Sequence, residues 1–338
     1  THNSDNMKEG FKITKASDIS TPLKSYRDNY NNKGKYLGWD CLNEHYSMQL
    51  GSVTDWTGYP MSGKTQVLME VLLNTSLYHG WRHLVYFPDV GSNIEIIADL
   101  MHKKTGKSFN PEDYNTITDA EINSNIDWLT HHFLILTKEN VKAKLSPIEY
   151  YDIAVELKKN EGIHTCSVDS WKDFAHPYSE YGGYAQYLEF VLPYRNLIAE
   201  EHNLHIHTII HPKLTDKDKN GHRKPPVPYD LKGGSEWFNS GKNMITVHRE
   251  DNQNNFVKII FNKIKPRSVG SIGEIELCFD LSRFVYYKAE NVNAAELVKT
   301  YASKEGENKT ESLRIEQNLN NQANIGFDDK KPKTKFPF

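Results

Sequence analysis

The chain holds 338 residues with a formal net charge of −3; 38% of its residues are hydrophobic and 25% charged. The length allows two average domains or one large α/β domain with appended termini, and the composition is ordinary for a globular chain. A near-neutral balance excludes a global positive field, so any polyanion must be met by a local basic patch. No apolar run is long enough to span a bilayer, and Thr1 to Lys8 lacks the pattern of a signal peptide, so a cytoplasmic chain with no membrane partner is expected. Cys41, Cys166 and Cys278 match neither a zinc-ligand spacing nor a disulfide framework and read as small buried apolar residues.

Residues 1–35 are polar. Ser17-Asp-Ile-Ser-Thr-Pro22 reads as the capped start of a short helix over Leu23–Tyr30, ended by Asn31-Asn-Lys-Gly-Lys35. With so few apolar positions this segment is either an arm or linker helix that docks on another subunit or a frayed terminus. An alternating run, Leu50-Gly-Ser-Val-Thr-Asp-Trp56, then leads into Gly58-Tyr-Pro-Met-Ser-Gly-Lys-Thr65, and a helical run, Gln66 to Leu73, follows. Strand, glycine loop and helix are the context that a Gly-x-x-x-x-Gly-Lys-Thr phosphate loop demands. In such a loop the backbone of Gly58, Tyr59, Pro60, Met61, Ser62 and Gly63 wraps phosphate oxygens. Lys64 reaches the β- and γ-phosphates, and the Thr65 hydroxyl holds Mg²⁺.

Ahead of that strand stands Gly38-Trp-Asp-Cys-Leu-Asn-Glu-His-Tyr46. A phrase of the type Gly-Trp-x-x-Leu-Asn-x-x-Tyr, followed by a strand and Gly-x-Pro-x-Ser-Gly-Lys-Thr, resembles the ATPase domain of DnaB-type replicative helicases, the Twinkle and phage primase-helicase branch most of all. The resemblance extends from about Gly34 to Phe284. It implies a RecA-like P-loop NTPase fold of α/β class, with a mostly parallel central sheet flanked by helices. It also implies ATP and Mg²⁺ as ligands, a homo-oligomeric and hexameric ring, and single-stranded DNA as the partner, with primase, polymerase or loader as further candidate partners. A host cytoplasm is the expected location if the chain is phage-encoded.

Trp81 to Asp89 is an apolar run suited to a buried parallel strand that ends in a carboxylate. The resemblance places at Asp89 the glutamate that polarises the attacking water, here one methylene shorter; the alternative is an N-cap for a helix over Ser92–Lys104. Thr105 to Leu129 reads as loop and short helix. His131 to Thr137 reads as a strand, with its two histidines on opposite faces, and Ile148 to Lys159 as an amphipathic helix. Gly162 to Trp171 is a second apolar strand ending in Asp169, which fits the carboxylate that holds Mg²⁺ beside Thr65. The loop that follows carries Tyr178, Tyr181, Tyr184 and two glycines; its tyrosines either stack on bases or a neighbouring subunit, or pack on the helix over Gln186–His202.

His205 and His207 alternate along one strand face, but carboxylate or cysteine ligands at suitable spacing are missing nearby, so no metal site is expected there. The strand ends in His211-Pro-Lys213, and the resemblance gives His211 the role of γ-phosphate sensor. Lys213, Lys217, Lys219, Arg223, Lys224 and Lys232 then form a local basic patch, which is either a solvated excursion or a DNA-binding loop. Gly233-Gly234-Ser235 offers backbone amides before a helix, and the resemblance has this element touching single-stranded DNA. After two strands, Met244 to Glu250 and Phe256 to Phe261, comes Lys263-Ile-Lys265-Pro-Arg267. The resembled pattern is Lys-x-Arg, whose arginine reaches the neighbour's γ-phosphate; Lys265 holds that position, and Lys265 and Arg267 together are the candidates.

The organisation expected is an arm over 1–35, a RecA-like ATPase domain over 36–302 and a disordered charged tail over 303–338, poor in apolar residues. No zinc-ligand pattern of a primase module occurs, so primer synthesis is expected elsewhere. Two rivals share the P-loop: a RecA- or KaiC-like DNA-binding ATPase that acts as recombinase or loader, and a small-molecule P-loop kinase, which needs no finger from a neighbour.

Overall fold

A computed structural model describes residues 13–28, 34–140, 142–215, 217, 219, 221–250 and 255–288. The expected tail over 303–338 lies outside the described residues.

A 3₁₀ turn at Ala16–Ile19 leads into α1 (Ser20–Asp28), which buries no residue. After α2 (Asp40–Asn43), β1 (Ser52–Thr57) is buried along its whole length. Glycines at both caps bound α3 (Lys64–His79), whose residues from Val67 to Ser76 are all buried. A helix buried around its circumference, polar residues included, is a core helix. β2 (His83–Tyr86) and α4 (Asn93–Thr105) follow. Ser92 caps α4, its hydroxyl accepting from the Glu95 amide while Glu95 reaches back, so Asp89 is not the N-cap.

Two expectations fail next. The stretch read as loop and short helix contains α5 (Asp119–His132), fourteen residues long with a capping box made by Thr118 and Glu121. His131 and His132 end that helix, and the strand shrinks to β3 (Phe133–Ile135). The capping box outweighs the weak apolar pattern of the helix. Then come α6 (Pro147–Glu161), β4 (Thr165–Asp169), α7 (Tyr184–Glu201), β5 (His205–Ile210), α8 (Gly234–Ser240), β6 (Asn243–His248), β7 (Phe256–Lys263), β8 (Gly273–Asp280) and β9 (Val285–Lys288).

The described strands form a nine-stranded sheet in the order β3-β2-β4-β5-β1-β6-β7-β8-β9. β3 to β6 in that order run parallel, and β7, β8 and β9 add antiparallel pairings. Alternation splits each strand between two cores. Val53, Leu84 and Tyr86 join α6 and α7 on one face, whereas Trp56, Val85 and Phe87 join α3 and α4 on the other. Burial on both faces explains why the strand before Asp89 reads as a continuous apolar run. On the α7 face of the sheet, Arg195 of α7 grips Asp55 of β1 bidentately at 2.6 and 3.1 Å, both side chains being fully buried.

His205 and His207 are buried with Thr54 and Trp56, on the face of the same strands opposite Asp55. His205 bonds the Thr54 hydroxyl at 2.8 Å and the Gln49 carbonyl at 2.6 Å, and His207 accepts from the Trp56 indole at 3.1 Å. Burial pushes His205 down to about 4 and His207 well below its ordinary value, so both are neutral core groups.

Candidate nucleotide site

Parallel strands set the stage, because their C-terminal ends share one edge of the sheet. β1 ends at Thr57 and turns into the phosphate loop; β2, β4 and β5 deliver Asp89, Asp169 and His211 to the same edge. Gly58 and Gly63 hold φ of 154° and 91°, which only glycine adopts easily. A Cβ on Gly58 would run into the Val247 carbonyl oxygen, and one on Gly63 would stand 2.6 Å from the Tyr286 hydroxyl. Met61, also at positive φ, is 75% exposed at the loop tip, and Pro60 is exposed beside it. Ser62 is buried, and its hydroxyl has no protein partner.

Lys64 folds back over the loop, and its Nζ donates to the Tyr59 carbonyl at 2.8 Å. Burial pushes its pKa down to about 8, against the pull of Asp169 and Asp89. Thr65 donates its hydroxyl hydrogen bond to Asp169. Burial raises Asp169 to about 6, offset in part by that bond and by Lys64. A desolvated cation and a desolvated carboxylate held a short distance apart are strained charges that a ligand of mixed charge relieves. A buried hydroxyl at Ser62, a cradle too tight for any Cβ and an oxygen pair at Thr65 and Asp169 fit a nucleotide phosphate and a hard divalent cation such as Mg²⁺.

Asp89 lies next to this pair. Its Oδ2 is 2.8 Å from Lys172 Nζ, 3.5 Å from His211 Nε2 and 3.4 Å from the Ser170 hydroxyl. Burial alone would raise its pKa, but the hydrogen bond and charge of Lys172, then His211, outweigh it and hold the carboxyl below its ordinary value. His211 is pushed down by burial and by Lys64, so it is neutral at pH 7. Ligand atoms of Asp89, Asp169 and His211 all lie within 4.8 Å of one another, and among the described residues no other such metal-binding group occurs. Lys172 was missed in the sequence. It sits in the 3₁₀ turn Trp171–Asp173, which brings a residue three places past Asp169 back toward the site.

The basic loop leaves β5 at the same edge. Pro212 pairs with Leu231, and the Lys213 amide donates to the Asp230 carbonyl at 2.9 Å, which pins the loop ends together. Lys213, Lys224 and Lys232 are exposed, but Arg223 is half-buried. Lys232 Nζ stands 4.4 Å from the Tyr184 ring centroid, so part of the aromatic loop meets the basic segment. Gly233 and Gly234 have packing reasons of their own. At Gly233 (φ 70°) a Cβ would meet Leu188 Cδ1 at 2.5 Å, and at Gly234 it would meet the Pro228 carbonyl oxygen and Tyr229 Cα at 2.7 Å. Ser235 is exposed and bonds Glu236 at 2.8 Å.

The finger candidates are elsewhere. β7 runs antiparallel, so Lys263 pairs with Met244 and the chain continues past the N-terminal ends of β6 and β1. Lys265 and Arg267 are exposed there, beside the Lys265–Asn243 bond and the Tyr46–Gly270 bridge. That edge is opposite the phosphate loop of the same chain. Lys263 is buried, and its Nζ donates to the Phe238 carbonyl at the end of α8.

Fold and site together define a RecA-like P-loop domain. No protein-family model matches the chain. It is similar to the Twinkle homolog protein, chloroplastic/mitochondrial, of Arabidopsis thaliana, at 24% identity over 259 residues, covering 73% of this chain and 35% of that protein. The chain thus spans about a third of that relative's length. Among solved structures it superposes on an ATPase domain with a TM-score of 0.66 at 13% identity, covering 81% of this chain and 99% of the other. It superposes on a DnaB-like replicative helicase, a structure described with its primase interactions, with a TM-score of 0.61 at 14% identity, covering 81% and 67%. The resemblance to DnaB-type ATPase domains read from the motifs therefore holds in the fold.

Proposed function

We propose that the chain is the ATPase domain of a ring-forming DNA helicase of phage or plasmid replication, hydrolysing MgATP and translocating on single-stranded DNA. The observation that carries this is the meeting of Lys64, the Thr65–Asp169 pair, Asp89 and His211 at one edge of a RecA-like sheet. In this reading the amides of the phosphate loop and Lys64 bind the phosphates, and Thr65 and Asp169 hold the metal. Mg²⁺, when bound, neutralises charge on the phosphate oxygens. Asp89 orients the attacking water, and His211 reports the γ-phosphate to residues 213–235. Lys213, Arg223, Lys224, Lys232 and the Gly233-Gly234-Ser235 element face the DNA phosphates.

Lys265 and Arg267 act on a neighbouring subunit's site. Their place on the sheet edge opposite their own phosphate loop supports this, because a finger there serves another copy. The assembly is then a homo-oligomer, hexameric in this reading, in a cytoplasmic setting, with primase, polymerase or loader as further partners. No described helix is long and apolar enough to cross a membrane. The proposed organisation is an arm over 1–35, an ATPase domain over 36–302 and a charged tail beyond.

Strand displacement on a forked duplex with ATP tests the reading. Release of the displaced strand is expected; hydrolysis with an intact fork would instead favour a RecA- or KaiC-like recombinase or loader.

A further inference from the structure

The phosphate loop and the basic loop touch directly at a place that neither motif anticipates. The Tyr59 hydroxyl shares a hydrogen bond with the Thr215 hydroxyl. The Arg223 guanidinium stands over the Tyr59 ring, 5.7 Å from its centroid, and Arg223 Nε donates to the Thr215 carbonyl at 2.8 Å. Two segments are thus closed into one unit by an aromatic face, a hydroxyl pair and a cation. Arg223 is half-buried while the neighbouring His222 and Lys224 are exposed. A planar guanidinium can lie flat on a ring while its Nε–H donates in the plane; an ammonium has no plane to stack. Tyr59 is also the residue whose carbonyl takes Lys64 Nζ at 2.8 Å.

We propose that Arg223 is a positioning residue of the phosphate loop, and that Tyr59, Thr215 and Arg223 link the nucleotide site to the basic loop by a route separate from His211. Lys64 has three N–H donors, so one can stay on the Tyr59 carbonyl while the others take a phosphate, and any shift of Lys64 toward the ligand then pulls on the backbone of Tyr59. The ring and hydroxyl of that residue carry the change to Thr215 and Arg223. The reverse holds by linkage: whatever binds the basic loop and shifts Arg223 alters the affinity for nucleotide by the same factor. The DNA half of this link rests on the helicase reading; the nucleotide half does not.

The test uses the full chain, a fluorescent ATP analogue and a labelled oligothymidylate, each titrated alone and in the presence of the other. Tyr59→Phe removes the hydroxyl and keeps the ring, Thr215→Ala removes its partner, and Arg223→Lys keeps the charge and loses the stacked plane. Each is expected to weaken the analogue, without DNA, by about two- to fivefold, the size of one exposed cation–π contact or neutral hydrogen bond. Each should also bring the coupling factor between the two ligands closer to one. Unchanged analogue affinity in all three variants, with Arg223→Ala weakening only the oligonucleotide, would overturn the proposal and leave Arg223 acting on DNA phosphate alone, with no part in the phosphate loop. If the unsubstituted chain binds no oligonucleotide, the helicase reading fails by itself and the analogue affinities alone decide the link.

Discussion

The buried charges of the candidate nucleotide site make it costly to fold. Asp169 is raised to about 6 from an ordinary 3.8, chiefly by burial. A carboxyl whose folded pKa is raised keeps its full stability below the unfolded value and loses it as pH climbs through the folded one. At pH 7 the loss amounts to roughly 2–3 kcal/mol. Asp169→Asn should therefore raise the ligand-free melting temperature at pH 7 and leave it nearly unchanged at pH 3.5, while Mg²⁺-dependent binding of ATP collapses. A lower melting temperature at pH 7 would contradict the cause assigned to the shift. Asp89 follows a different logic, because Lys172 and His211 hold its pKa down against burial. Lys172→Ala should move the acid limb of the pH profile for hydrolysis to higher pH, and Lys172→Arg should restore it. These residues also mark the limit of legibility. Asp169 and His211 each end an apolar run and can be read from it, whereas Lys172 depends on how tightly the chain turns after its strand.

Elements are held to the site by buried polar joints. Arg195 on α7 and Asp55 on β1 are fully buried and paired, and the Arg195 guanidinium also stands 5.4 Å from the Trp237 ring centroid of α8. Arg195→Met leaves the Asp55 charge alone in the core and should cost about 3–5 kcal/mol in denaturant unfolding. Adding Asp55→Leu should recover most of the loss, since a matched apolar pair removes both desolvated charges. At α8, Gly234→Ala forces a Cβ against the backbone at Pro228 and Tyr229, 2.7 Å away. It should destabilise the chain by about 1–3 kcal/mol. That position shows why the Gly-Gly-Ser element is ambiguous in sequence: close helix packing and anion binding call for the same residue. Most strands and helices could be located from their apolar runs and glycine caps. α5 could not, because Asn123, Ser124 and Asn125 dilute its pattern, although the Thr118…Glu121 box was there to be used. A count of positive residues likewise could not tell that Arg223 turns inward while Lys224 stays exposed.

Across the whole molecule, two opposite edges of one sheet carry the proposed function. Phosphate loop, Asp89, Asp169 and His211 share one edge, and Lys265 and Arg267 stand at the other. On the proposed reading, one copy holds both halves of a composite site without joining them. Mixing Lys64→Ala chains with Lys265→Ala/Arg267→Ala chains should restore hydrolysis, since some interfaces then pair an intact loop with an intact finger. Absence of rescue would favour a site complete within each chain, as in a small-molecule kinase. The central claim, that nucleotide chemistry drives movement on DNA, is tested most directly by the rate of ATP hydrolysis with and without single-stranded DNA. The account predicts stimulation by the strand, lost when His211 is replaced by alanine. An equal rate with and without DNA would contradict it.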